Sequence, residues 1–309
     1  MKGYVAIHMT AERLRAALFG ADKSFLGRKS AALSAEDSYV TLLAKTAQLV
    51  RELCGGDAPV AVAACAEGIV SRSGEVLDSD LPALVGRPFS RELSEKLGSR
   101  VLFSDAATAC AAGEAAFGAA KKYDDVVCLR LGARVDCAAL FGGERFGDAA
   151  CVAGHMVVEA GGIPCSCGRR GCFTQYVSDA ALVRDTKRAM FENRSSALWS
   201  SAEGDPENVT PVTAFACAKA GDEAAQKVVK NYIFYLGEGI ANLIGLFRPQ
   251  VFVLAGAPDD SDYLLAPLRK YVSERLFVDS GRVPLAFNRA ALGADAELYG
   301  CCAQLFPER

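Results

Sequence analysis

Short apolar runs open the chain. Tyr4-Val-Ala-Ile and Leu14-Arg-Ala-Ala-Leu-Phe19, with a turn at Gly20-Ala-Asp22, predict an antiparallel β-meander over residues 3–31. Helical spacing follows: Val40, Leu42, Leu43, Ala47 and Val50 share one face of a helix predicted over 36–53, which Gly55-Gly56 stops. The unbroken run Pro59–Cys65 predicts a buried strand, followed by a helix near 89–97 and a strand at Val101-Leu-Phe103. The same order then recurs. Val126–Leu131 and Val135–Phe141 predict a second meander turned by Gly142-Gly143. A long helix near 223–247, a buried strand at Val251–Leu254, a helix near 262–277 and a last helix from about Asp295 to Phe306 complete it. Polar residues 192–210 are expected to form a surface loop. Two similar halves predict a duplicated α/β unit with a cleft between them.

At 309 residues, 51% hydrophobic and 23% charged, the chain has material for two packed domains and is not of disordered composition. The net charge of −3, with no Lys/Arg-rich arm, lacks the electrostatic footprint of a nucleic-acid binder. The N-terminus has no signal-peptide layout, and no apolar stretch is long enough to span a bilayer. A soluble, cytoplasmic protein with reduced thiols is expected.

One segment concentrates metal-binding chemistry: His155, Cys165, Cys167 and Cys172, separated by Gly, Ser and Arg. Zn²⁺ favours four tetrahedral nitrogen or sulfur ligands, and a Cys₃His set closes that shell, so the expected ion is structural. The chain has only two histidines. Eight of its twelve cysteines (Cys54, Cys65, Cys110, Cys128, Cys137, Cys217, Cys301 and Cys302) sit in apolar runs and read as small buried hydrophobes. A disulfide is the other use for the loop cysteines, but Cys165 and Cys167 are too close to bridge comfortably.

This segment resembles the signature of the ROK family (repressors, open reading frames and kinases): Gly-Glu-x-Gly-His, then Cys-x-Cys-Gly-x-x-Gly-Cys-x-Glu. Further stretches are similar. Ala66-Glu-Gly68-Ile-Val-Ser resembles the family's Pro-Gly-Leu-Val-Asp turn, Phe103-Ser104-Asp105-Ala-Ala-Thr its Glu-Asn-Asp-Ala-Asn segment, and Pro249–Gly256 the strand leading to its adenosine-contacting glycines. Leu292–Gly300 resembles the closing helix. The resemblance implies a duplicated ribonuclease-H-like (actin-like ATPase) fold with two domains flanking a cleft, and homodimers or higher oligomers. The halves are expected at 1–118, completed by about 295–309, and at 119–294.

Active family members phosphorylate a hexose with Mg-ATP. On that pattern Asp105 falls at the catalytic base; as a short acceptor before Ala-Ala-Thr it equally reads as a helix N-cap. Gly68, Ser104, Asp105, His155 and Thr174 fall at sugar-binding positions, yet most polar partners are replaced: Asn by Ser104 and Ala107, Glu by Val152 and Thr174. Each unpaired buried polar atom costs about 1–3 kcal/mol. The phosphate positions Thr10, Gly132, Arg134 and Gly256 are also altered. His8-Met-Thr10-Ala11-Glu12 stands for Asp-x-Gly-Gly-Thr, and Gly132-Ala-Arg134-Val-Asp136-Cys137 for Gly-Thr-Gly-x-Gly-Gly. Histidine is a poor substitute for a hard oxygen ligand of Mg²⁺. Glu12 adds negative charge there, and Asp136 counts against anion binding by Arg134.

The expectation is a non-catalytic, sugar- or metabolite-sensing or regulatory protein with structural zinc. A further reading is a metabolite-binding pseudoenzyme whose cleft accepts a less polar ligand, which Val152, Ala107 and Thr174 would suit. The alternative is an active ATP- and Mg²⁺-dependent sugar kinase of glucokinase or N-acetylhexosamine kinase type. The family's repressors carry an N-terminal helix-turn-helix, whereas this chain begins at its first hairpin, so no direct DNA contact is expected.

Overall fold

The structure is a computed structural model that describes residues 3–34, 36–148, 151–259, 261–276 and 285–306. Strands β1 (Tyr4–Met9), β2 (Arg13–Phe19) and β3 (Phe25–Ala32) form the expected meander, and helix α1 (Tyr39–Leu53) follows. Next come β4 (Ala61–Ala66), β5 (Gly68–Val70), β6 (Val76–Ser79), α2 (Phe89–Leu97), β7 (Arg100–Asp105) and α3 (Ala106–Ala116). The first sheet runs β3-β2-β1-β4-β7: antiparallel between β3 and β1, parallel from β1 to β7.

Each face of this sheet reads from residue parity. Val5, Ile7, Met9 and Leu14 pack with Leu42, Leu43 and Val50 of α1, whereas Ala6, Ala17, Ala63 and Cys65 pack with α3 and the C-terminal helix. Ser38 caps α1 by accepting from the Thr41 N–H. Val40 departs from expectation: helical angle assigns it to the buried face, yet in the first turn it is 74% exposed. Packing does not extend over that end of the helix.

The chain continues through β8 (Val126–Arg130), β9 (Asp136–Phe141), β10 (Glu144–Arg145), α4 (Thr174–Val177), α5 (Asp179–Glu192), α6 (Ala197–Ser201), α7 (Thr213–Lys219) and α8 (Glu223–Phe247). It ends with β11 (Val251–Ala255), α9 (Asp262–Ser273), β12 (Ala286–Arg289) and α10 (Ala296–Leu305). The second sheet runs β10-β9-β8-β11-β12, and β5 and β6 form a separate hairpin. The stretch 192–210 is not simply a loop. Ser196 caps α6, whose Leu198 is buried, and Pro206–Asn208 makes a turn of 3₁₀-helix. The helix expected to reach 277 ends at Ser273, and residue 277, like 307–309, lies outside the described residues.

Contacts divide the chain into two units. The first is Met1–Cys128, Ala138–Cys151 and Ala290–Arg309; the second is Leu129–Cys137 and Val152–Arg289. Residues 119–128 and 138–151 thus group with the first unit. Within it, α3 and α10 touch backbone to backbone: a Cβ on Gly300 would overlap the Ala109 carbonyl, and one on Gly113 that of Ala296. Glu114, fully buried on α3, accepts from the N–H groups of Ala119 (2.7 Å), Ala291 (2.9 Å) and Leu292 (2.9 Å). Within the second unit, Phe173 is fully buried against α8, where Gly239 leaves room for its ring. None of the described helices is long and apolar enough to cross a membrane.

Candidate functional site

The cysteine-rich loop folds by turns that its glycines permit. Gly168 and Gly171 adopt φ of 85° and 78°, in the left-handed region, and a Cβ on Gly171 would overlap the Glu159 carbonyl. Gly171 donates to Ile163 and accepts from Val158, while the Tyr176 hydroxyl accepts from the Ile163 N–H at 3.0 Å. The ligand atoms of His155, Cys165, Cys167 and Cys172 consequently lie within 4.8 Å of one another. Cys165 Sγ stands 3.5 Å from His155 Nδ1, and Cys167 Sγ stands 3.6 Å from Cys172 Sγ. Tetrahedral zinc with bonds of about 2.3 Å to sulfur and about 2.0 Å to nitrogen requires separations of about 3.8 Å and 3.6 Å. The four residues therefore fit that ion.

The sulfurs also oppose one another's ionisation. Burial works against a charge on Cys165, but hydrogen bonds from the Cys167 backbone and neighbouring thiols hold it down at about 6. Cys172, desolvated and facing those sulfurs, is pushed up to about 12. A divalent cation among them removes this conflict.

The second group of candidates lies in the first unit, at the carboxyl ends of its parallel strands. Strand register sets Met9 beside Ala66 and Ala66 beside Asp105, the edge where open α/β sheets hold ligands. Asp105 is fully buried and caps α3. Its Oδ1 accepts from the Thr108 N–H at 2.7 Å and its Oδ2 from the Thr108 hydroxyl at 3.0 Å. The Arg145 guanidinium lies 3.7 Å from Oδ2 and donates to the carbonyls of Val70 and Asp148. Burial raises the Asp105 carboxyl above its ordinary value, against the pull of the Thr108 N–H and Arg145. Ser104 is buried and accepts from Gln304 at 3.2 Å. Gly68, at φ 135°, is required where β5 meets β6, since a Cβ would overlap the Asp78 carbonyl.

His8 is 4% exposed and engaged on both ring nitrogens. Nε2 lies 3.0 Å from Glu67 Oε1 and Nδ1 lies 2.7 Å from Arg15 Nη2. A guanidinium can only donate, so Nδ1 accepts and Nε2 carries the proton toward Glu67. Glu297 Oε2 stands 3.9 Å from Nδ1 and 3.8 Å from Arg15. Thr10 closes the adjoining turn through Arg13, and Glu12 is exposed.

In the second unit, Gly132 accepts from the Asp179 N–H at 2.9 Å. Arg134 turns to Asp136, with Nε 3.5 Å from its carboxylate. Gly256, at φ 69°, lets its backbone approach the Leu131 carbonyl. Thr174 opens α4 directly after the cysteine loop, and Val152 is 49% exposed.

Sequence reasoning missed Arg145, Glu67 and Arg15, which supply the partners of Asp105 and His8. No local pattern marks them, because each reaches its partner only through strand pairing or a distant turn.

Comparison with known proteins assigns the lineage. The sequence model described as the ROK family matches residues 4–308. The chain is 30% identical over 220 residues to a glucokinase of Streptomyces coelicolor, 69% of each chain. It is 23% identical over 245 residues to the xylose repressor of Bacillus subtilis, covering 78% of this chain and 59% of the repressor. A ROK glucokinase of Streptomyces griseus, solved with glucose and AMPPNP, superposes with a TM-score of 0.79 at 25% identity, covering 98% of both chains. The fold is that of the actin-like, ribonuclease-H-like sugar kinases. With nearly its whole length matched, the chain belongs to the ROK family.

Proposed function

We propose that this protein is a non-catalytic ROK-family member, a sugar- or metabolite-sensing regulator that keeps the kinase scaffold and a structural zinc ion without the transfer reaction. The observation that carries this reading is the state of Asp105. A general base must accept a proton from a substrate hydroxyl at hydrogen-bond distance. Both Asp105 oxygens already accept from Thr108, the group is fully buried, and the Arg145 guanidinium lies alongside it. His8 supports the same reading, since the position matching the family's metal-binding Asp is engaged on both ring nitrogens in a hydrogen-bonded network with Glu67 and Arg15.

Bound zinc would close the loop as a cross-link. His155, Cys165, Cys167 and Cys172 would be its ligands, and Phe173 would anchor the loop on α8. The proposal includes a homodimer or higher assembly in the cytoplasm and a small sugar or metabolite as ligand. Gly68, Ser104, Asp105, His155 and Thr174 are the candidate ligand-binding residues.

A second reading, an active sugar kinase using Mg-ATP, draws support from the raised Asp105 carboxyl, a direction useful to a base. The likeness to the S. coelicolor glucokinase points the same way. The two separate in one assay. Purified protein is given Mg-ATP with a panel of hexoses and amino sugars, and ADP release is followed. The proposal expects none above background; turnover above about 1 s⁻¹, ordinary for kinases, would overturn it.

A further inference from the structure

The cysteine loop contains a second chemical arrangement besides a metal cage. Its four donors lie within 4.8 Å of one another, and in that cluster Cys167 Sγ stands 3.6 Å from Cys172 Sγ. Exposure divides these two sulfurs. Cys167 is open to solvent, whereas Cys172 is fully buried. An accessible sulfur next to a shielded one is the layout of an attacking thiol and a resolving thiol. Cys165 faces both of these sulfurs as well as His155, but it is itself buried, and a single residue separates it from Cys167, which disfavours that bridge.

We infer that the loop is an oxidation-sensitive latch, in which a hydroperoxide joins Cys167 to Cys172 and so releases the metal. The Cys167 sulfur attacks one peroxide oxygen and the O–O bond breaks. This leaves a sulfenic acid on Cys167 and, for hydrogen peroxide, one water once the departing hydroxide is protonated. The Cys172 sulfur then attacks the Cys167 sulfur. The S–S bond forms, the S–O bond breaks, and hydroxide leaves to become a second water. Two thiolates lose two electrons in all, and the peroxide gains them. A disulfide of about 2.05 Å requires the sulfurs to close by roughly 1.5 Å, within reach of side-chain rotation.

Two of the four donors are thereby withdrawn, and His155 with Cys165 is too small a ligand set to retain the ion. The change is felt beyond the loop. Cys172 precedes Phe173, which seats on Gly239, and Thr174, which opens α4. Oxidation would therefore act on a residue of the proposed ligand set.

This inference rests on the zinc reading, and the experiment separates the two. Metal content of the purified full chain is measured first, by elemental analysis under reducing conditions; absence of zinc there overturns the zinc reading and the latch with it. The zinc-loaded chain is then treated with hydrogen peroxide beside a chromogenic chelator, and its peptides are mapped without reduction. The latch predicts complete zinc release together with a Cys167–Cys172 disulfide, and reuptake of zinc after dithiothreitol. Zinc retained under peroxide, release without that disulfide, or a different pairing overturns the latch and leaves the zinc reading standing. Cys167→His keeps a fourth donor without the attacking sulfur and is expected to hold zinc under the same treatment. Equal release from a zinc-loaded variant overturns the mechanism. If the variant does not fold, the wild-type peptide map still decides.

Discussion

Restoring the family's residue at position 8 should damage this protein instead of reviving it. In the wild type His8 donates to Glu67 at 3.0 Å and accepts from Arg15 at 2.7 Å, with Glu297 3.9 Å away. The three neighbours have side chains only 14%, 25% and 9% exposed. His8→Asp would put a third carboxylate within about 5 Å of the two already there, at about 3 kcal/mol per like-charge pair for an effective dielectric near 20. Arg15 offsets roughly one of these. The lost hydrogen bond to Glu67 adds about 1.5–3 kcal/mol, so the net destabilisation is about 5 kcal/mol. With a urea slope of about 3 kcal/mol per molar, the unfolding midpoint falls by about 1.5 M. His8→Gln, which can donate to Glu67 and accept from Arg15, should stay within about 1 kcal/mol of the wild type. Urea titration followed by circular dichroism measures both, and calorimetric titration with Mg-ATP tests for nucleotide. A His8→Asp variant as stable as the wild type, or one that binds Mg-ATP, would refute the reasoning.

Other consequences can be checked independently. Because burial raises the Asp105 carboxyl, its protonated form favours the folded state: that contribution is complete below its ordinary 3.8 and is lost as pH rises through the raised value. The stability of wild type relative to Asp105→Asn should therefore fall with pH across that window, and a difference that grows instead would contradict the assignment. Glu114→Ala leaves three backbone N–H groups without their carboxylate, and about 3 kcal/mol of stability should be lost. Faster hydrogen exchange at Ala119, Ala291 and Leu292 is the local readout, and unchanged rates would count against the role. Gly300→Ala forces a methyl onto the Ala109 carbonyl and should cost about 3 kcal/mol in urea unfolding. Chelation of zinc-loaded protein should expose the Phe173 side of α8, seen as increased exchange there; full protection after metal loss would refute a structural ion.

Much of the framework was legible because it follows residue periodicity. The first meander, the helices at 89–97 and 223–247 and the strand at 251–254 all fall where apolar spacing put them. Asp105 as a helix cap was legible for the same local reason. What escaped is of two kinds. Val40 satisfies the helical angle but lies beyond the packing, and the short α6 is held by a cap and one buried leucine inside a polar stretch. The second kind is the wiring of the site. Arg145 meets Asp105 across forty residues of sequence, and His8 meets Glu67 across fifty-nine. Single charged residues carry no periodic signal, so only the folded chain pairs them. The cysteine loop was the exception, since its donors are close in sequence as well as in space.

The backbone contact between α3 and α10 bears on how the chain is made. Ala6, Ala17, Ala63 and Cys65 rest against a helix that begins at Ala296. On the ribosome, where synthesis runs from the amino end, α3 can cover only part of that layer until the closing helix has emerged, whereas Leu129–Cys137 and Val152–Arg289 are complete earlier. The half that starts first is thus finished last, and a nascent chain carries a half-covered sheet face through most of its translation. A chaperone would find its opportunity on that alanine-lined face.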